Sequence, residues 1–302
     1  MIPLLAALVL SGICAQAQTI TETFGSGANQ FSIDFVEIGN PGNAADTTGS
    51  PNLAGRVDYI YNLGKYEISR YQVEMANSGG SLGITYVGNY LTSPAAGINW
   101  LEAARFVNYL NTSKGYQAAY SFDVNGNFQL WAAGQYNGNN MFRHKDAVFV
   151  LPSTDEWYKG AYGSPDGSWY NYPTGSDSAP VATSGGTLPG TSVFARSFYA
   201  DFNNAGGLSP YGTMAQGGNV WEVMETAYDG INDSPAEFRE MRGGEMDDLN
   251  SNNQLSSRRV QIDVSAGSLF VRGFRVAMVP EPSSLSLLLA GGAVLMAGRR
   301  RA

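Results

Sequence analysis

The chain has 302 residues, 43% of them hydrophobic and 12% aromatic, which is apolar material for one sizeable core or at most two small ones. Its formal net charge of -8 argues against a nucleic-acid partner, because phosphate binding needs clustered Lys and Arg. There is one cysteine, Cys14, and one histidine, His144. With Cys14 confined to the extreme N-terminus, disulfides, thiolate zinc sites, cysteine nucleophiles and multi-histidine metal centres are excluded from the rest of the chain.

Residues 1–17 read as a secretory signal peptide. An apolar run from Ile2 to Leu10 leads to Ala15-Gln16-Ala17, the small-x-small pattern that signal peptidase accepts. Cys14 is preceded by Ile13, where lipid attachment requires a small residue. Residues 18–56 are rich in Gly, Asn, Thr and Ser. They carry short alternating runs such as Phe31-Ser32-Ile33-Asp34-Phe35, which predict strands at the start of the domain.

Three helices follow. Ser69 and Gln72 form a capping box, with Ile68 set to staple onto Val73, and Gly79-Gly80 closes that helix. Asn99 caps a second helix with Glu102 at its third position. Trp100, Ala103, Ala104, Val107 and Leu110 give that helix one apolar face. Ser153 with Glu156 caps a third, which turns Trp157 inward. Between the second and third helices, residues 115–146 carry turn signals at Asn125-Gly126 and Asn137-Gly138 and read as a hairpin insertion. In it, Asp123 to Asn127 reads as a hairpin turn rather than a calcium loop. His144, between Arg143 and Lys145, reads as a surface residue. Beyond Gly160 no helix is predicted, only aromatic-rich loop and short strands. The pattern is one α+β domain, irregular in its second half.

At the C-terminus, residues 279–302, Pro280-Glu281-Pro282 precedes an apolar stretch from Leu285 to Ala297 and then Arg299-Arg300-Arg301. The stretch is shorter than the roughly 20 residues of a stable span, and the arginines would hold its end on the cytoplasmic side. This tail resembles the PEP-CTERM sorting signal. That resemblance implies cleavage by a membrane exosortase and a final place at the cell surface or in extracellular matrix; a plain anchor helix is the other reading. Contact with a membrane is expected through this tail alone.

Six segments between residues 57 and 278 match one family in order. They are Gly64 to Ser69 with Tyr71-Gln72, Asn99 to Ala104, Leu151 to Trp157, Tyr211-Gly212 with Gly218 to Glu222, Arg242-Gly243-Gly244, and Gly273 to Ala277. Together they resemble the formylglycine-generating, or sulfatase-modifying factor, family. The resemblance implies a loop-rich variant of the C-type lectin fold. Residue by residue, Trp157 and Trp221 read as core anchors. Gly218, Gly243, Gly244 and Gly273 read as sites of tight backbone geometry.

Family members that make formylglycine hold copper between two cysteines in the interval before the last motif. Here that interval runs Glu245 to Arg259, and the nearest positions are Ser251 and Ser256. A hydroxyl is a poor ligand for cuprous copper, so copper is not expected. A second branch binds iron through three histidines, which one His144 cannot supply. The resemblance also implies structural calcium, at Asp201, Phe202, Asn219, Val220 and Glu222, since calcium takes carboxylate and carbonyl oxygens; the competing reading makes Asp201 and Asn219 turn caps. The pairs Asp247/Asp248 and Glu222/Glu225 lack a nucleophile or orienting group and read as non-catalytic. The expectation is a non-catalytic binding or structural module. Its ligand, a peptide or a carbohydrate, would lie in a groove lined by Trp169, Tyr170, Tyr172, Ser251 and Ser256. An oxidase with a remodelled metal site is the alternative.

Overall fold

A computed structural model describes residues 19–88, 90–265 and 271–280. The expected signal peptide lies outside them, as do Glu281 onward and the apolar stretch of the tail. Among the described residues no helix is long and apolar enough to cross a membrane.

Strand β1 (Thr19–Phe24) pairs antiparallel with β2 (Phe31–Ile38), and β2 with β3 (Tyr61–Gly64). Alternation along β2 buries Phe31, Ile33 and Phe35 while Ser32 faces solvent. Helices α1 (Arg70–Gly80) and α2 (Trp100–Ser113) follow, each opened by the capping box predicted for it. In α1 the helix runs through Gly79 and Gly80, and Ser81, at φ 52, supplies the left-handed cap instead. The predicted apolar face of α2 is wholly buried.

Strands β4 (Ser121–Phe122) and β5 (Phe128–Gln129) form the expected hairpin. Its turn is tied by Asp123, whose carboxylate accepts from the Asn125 and Asn127 N–H groups at 2.9 Å. The stretch is no loose insertion. Tyr120, Phe128 and Phe142 pack around Trp100, and the buried Arg239 guanidinium lies against the Phe142 and Trp100 rings at 4.0 and 4.4 Å. His144 is also not a surface residue. It is 8% exposed, edge-on to Trp131 at 4.6 Å, and its Nδ1 accepts from the Asp146 N–H.

After β6 (Phe149–Val150) comes α3 (Thr154–Tyr162), with the Ser153–Glu156 box in place and Trp157 fully buried. The remainder is loop and short strand: β7 (Val181–Ala182) parallel to β8 (Thr191–Ser192), then β9 (Trp221–Ala227), β10 (Arg239–Arg242), a 3-10 turn at Ser251–Gln254, β11 (Val260–Ile262), β12 (Arg272–Gly273) and β13 (Ala277–Met278). One sheet runs β1-β2-β3-β13-β6 and a second β11-β10-β9-β12. The main core lies between the first sheet and α2 and continues onto β9 through Trp221 and Val223.

Candidate functional site

Strand β9 organises the polar interior. Glu222 on it is fully buried and accepts from Arg275 Nε at 2.6 Å, Arg275 Nη2 at 2.5 Å and Trp157 Nε1 at 2.7 Å. The remaining Arg275 N–H groups go to the carbonyls of Gly64, Lys65 and Met214. A buried ion pair is tolerable only when its remaining hydrogen-bonding groups are also met, as they are here. Just before β9, Gly218 sits at φ 76, and a Cβ there would lie 2.1 Å from the Val193 carbonyl oxygen, so only glycine fits. This turn aims Asn219 Nδ2 at Glu67 Oε2, 2.5 Å away. Burial pushes the Glu67 carboxyl well above its usual range; Glu222 adds to this and Arg275 opposes it.

A second buried node joins α3 to the hairpin region. Arg143 donates to both oxygens of Glu156 and to Glu225, while Tyr59 donates to Glu156 and Tyr120 to Glu225. Burial would raise the Glu156 carboxyl. The Arg143 charge and hydrogen bonds overcome that and, with Tyr59 and the Ser153 N–H, bring it down to about 2.

The surface next to these nodes is a rim. From Trp157 the path runs through the Tyr162 ring, at 5.9 Å, to the Tyr162 hydroxyl, which donates to the carbonyls of Gln254 and Leu255. Ser256 N–H then donates to the Asn171 carbonyl at 2.8 Å. The structure therefore brings the segment holding Trp169, Tyr170 and Tyr172 against the turn holding Ser251 and Ser256. Beside this junction lies an open depression of about 650 Å³, lined by eight residues of the segment 248–258, among them Asn250, Asn252, Asn253 and Arg258 but not Ser251 or Ser256. Burial, with Asp247 and Asp248, pushes the Glu245 carboxyl at its edge up to about 7.

The individual side chains differ from the expectation in detail. Tyr172 is buried at 7% exposure, so it offers no face to a ligand. Trp169 is half-buried: its ring packs on Tyr158 at 5.6 Å and its Nε1 donates to the Ala44 carbonyl. Tyr170 is half-buried, with its N–H on the Tyr162 carbonyl. Ser251 and Ser256 are buried rather than lining open space. The rings are thus wedged into the fold, because glycines 55 and 163 let the backbone close on Trp169.

Of the five expected calcium residues, Glu222, Asn219 and Asp201 use their side-chain oxygens in bonds within the protein. Both Glu222 oxygens serve Arg275 and Trp157. Asn219 Oδ1 accepts from the Ala200 N–H, and Asp201, exposed, accepts from Thr92 Oγ1 at 2.7 Å. Phe202 is edge-on to Tyr66 at 5.4 Å. Among the described residues no three His, Cys, Asp or Glu side chains cluster as a metal site would require. Sequence reasoning missed Glu67, Arg143 and the loop of residues 46–55, whose backbone reaches Ser256. A buried Glu five residues before a helix interior carries no periodic signal, and a Gly/Ser/Pro loop has no motif at all.

A family model described as "Sulfatase-modifying factor enzyme 1-like domain" matches residues 31–279. Among solved structures, Treponema denticola variable protein 1 is 18% identical with a TM-score of 0.57, over 86% of this chain and 99% of that one. CarF is 18% identical with a TM-score of 0.55, over 82% of this chain and 99% of that one. At such identity the likeness is one of fold. No curated protein matches the chain.

Proposed function

The chain belongs to the sulfatase-modifying factor family, and we propose that it is a member kept for binding rather than for oxidation. One observation carries this. On the family resemblance the positions nearest its copper cysteines would be Ser251 and Ser256, and the chain's only cysteine, Cys14, lies in the expected signal peptide. Soft thiolates hold cuprous copper and hydroxyls do not, so the residues present do not fit the metal.

The binding surface would be the depression lined by residues of the segment 248–258. Its walls are amide-rich, Arg258 is exposed, and Leu249 stands 91% exposed beside them. Among the described residues no aromatic ring lines it. That chemistry suits a peptide, whose main chain takes amide hydrogen bonds and whose apolar side chains meet leucine, better than a sugar that needs a ring to stack on. Export through the N-terminal signal and sorting through the C-terminal tail would place the module at the surface or in matrix. Calcium fits poorly, because binding through Glu222 would break its pair with Arg275; chelator should leave the melting midpoint unchanged, and a fall of several degrees would restore those ligands.

A combined peptide and glycan array tests the reading. The purified protein should take peptides, and Asn252→Ala with Arg258→Ala should lose them at unchanged stability. Glycan hits alone, or hits indifferent to both substitutions, would contradict it.

A further inference from the structure

Residues 46–55 form a loop with a closed base and a lightly held tip. At the base, Asp46 N–H donates to the Ala54 carbonyl at 2.8 Å and Ala54 N–H donates back at 3.2 Å. Asn43 braces it from below, donating to the Gly55 carbonyl and accepting from the Val57 N–H. The Gly55 N–H donates to Asp155 at 2.7 Å.

The tip touches the body at a few points. Ser50 N–H donates to the Ser256 carbonyl at 3.2 Å, and Arg242 Nη2 donates to the Ser50 carbonyl. Gly49 lies flat on the Tyr158 hydroxyl, which donates to Asp46 Oδ2 at 2.6 Å. The other tip bonds are internal: Thr48 to Asp46 and Asn52 to the Thr47 carbonyl. Thr47, Thr48, Asn52 and Leu53 are exposed. Both main-chain groups of Ser50 are therefore read by the body of the protein, as those of a residue in a bound peptide are.

The groups that read Ser50 are built in. Arg242 is fully buried, held by Glu240 at 2.5 Å, and its Nη1 spans the carbonyls of Ser256 and Arg258. Removing the tip would open one guanidinium nitrogen and one carbonyl at the junction between Trp169 and Ser256.

We infer that residues 47–53 are a plug, an internal peptide that fills part of the rim and must swing out before another chain can use Arg242 and the Ser256 carbonyl. This rests on the reading of the rim as a peptide-binding surface. The base bonds make Asp46 and Ala54 the pivot, and the few tip contacts make opening a local event rather than unfolding. While the plug is in, a competing peptide sees only the open fraction of molecules, and its apparent affinity falls by that fraction.

Gly49 gives a clean test. A Cβ there would lie 1.7 Å from the Tyr158 hydroxyl, so Gly49→Val should eject the tip without altering the body. The probe is a labelled peptide copying residues 46–54, added in trans to the full chain. It should bind Gly49→Val at least about tenfold more tightly than the unaltered protein, and the amides of 47–53 should exchange at least about tenfold faster while β9 and β10 are unchanged. Faster exchange at the tip with equal or no peptide binding overturns the plug. If Gly49→Val exchanges globally, Tyr158→Phe replaces it, since the ring stays and only the hydroxyl's bonds to Asp46 and Ser256 are lost; the same two readouts then decide. The two readings fail separately. Trans binding with an empty array leaves the plug standing alone, and array hits equally strong on both proteins remove the plug while keeping the binding surface.

Discussion

The Trp157–Glu222–Arg275 node and the rim at residues 248–258 are joined through Tyr162, yet they use polar residues in opposite ways. In the node, the Arg275 donors and both Glu222 oxygens are bonded and all three side chains are hidden from solvent. At the rim, Arg258 is exposed and, among the described residues, its side chain makes one hydrogen bond, to Asn253 at 3.2 Å. Satisfied polar groups inside a low-dielectric core specify packing. Unsatisfied ones at a surface remain available to something else. The three node residues come from three of the family's sequence motifs, whereas the rim residues come from none. These three motif residues are thus spent on architecture.

Breaking the node should be the largest effect. Arg275→Ala leaves Glu222 buried without its partner and should cost about 3–5 kcal/mol in denaturant melts. A loss under about 1 kcal/mol would mean that the pair is not closed to solvent as described. Acid should act next, on the neighbouring node. The Glu156 carboxyl is held near 2, below its unfolded value of 4.5. A depressed carboxyl contributes stability above the unfolded value and loses it as pH falls, so the midpoint should drop between about pH 4.5 and 2. Glu156→Gln should flatten that limb. The smallest effect belongs to the rim, where Asn252→Ala and Arg258→Ala should each change stability by no more than about 0.5 kcal/mol. A larger cost at either would blur the contrast between the two regions.

The legible parts of the fold were local or repetitive. Capping boxes at Ser69, Asn99 and Ser153 are four-residue patterns, and all three open helices where expected. The ordered motifs gave the family, and the family model agrees over residues 31–279. The site was harder because it depends on long-range closure. Aromatics in a glycine-rich stretch look like a platform, but Gly55 and Gly163 let the backbone close on Trp169, and Tyr172 is buried. His144 sits among polar neighbours in sequence, yet Trp131 covers it in space. Arg143 gave no sign that it would bridge two carboxylates, since Glu156 and Glu225 lie 13 and 82 residues away.

The proposed function holds that oxidation has gone from this scaffold while its framework has stayed. The direct measurement is cuprous copper binding by the purified domain, read together with conversion of a cysteine-containing sulfatase peptide. No stoichiometric copper and no aldehyde product is the expected result; one copper per chain with formylglycine formed would contradict it.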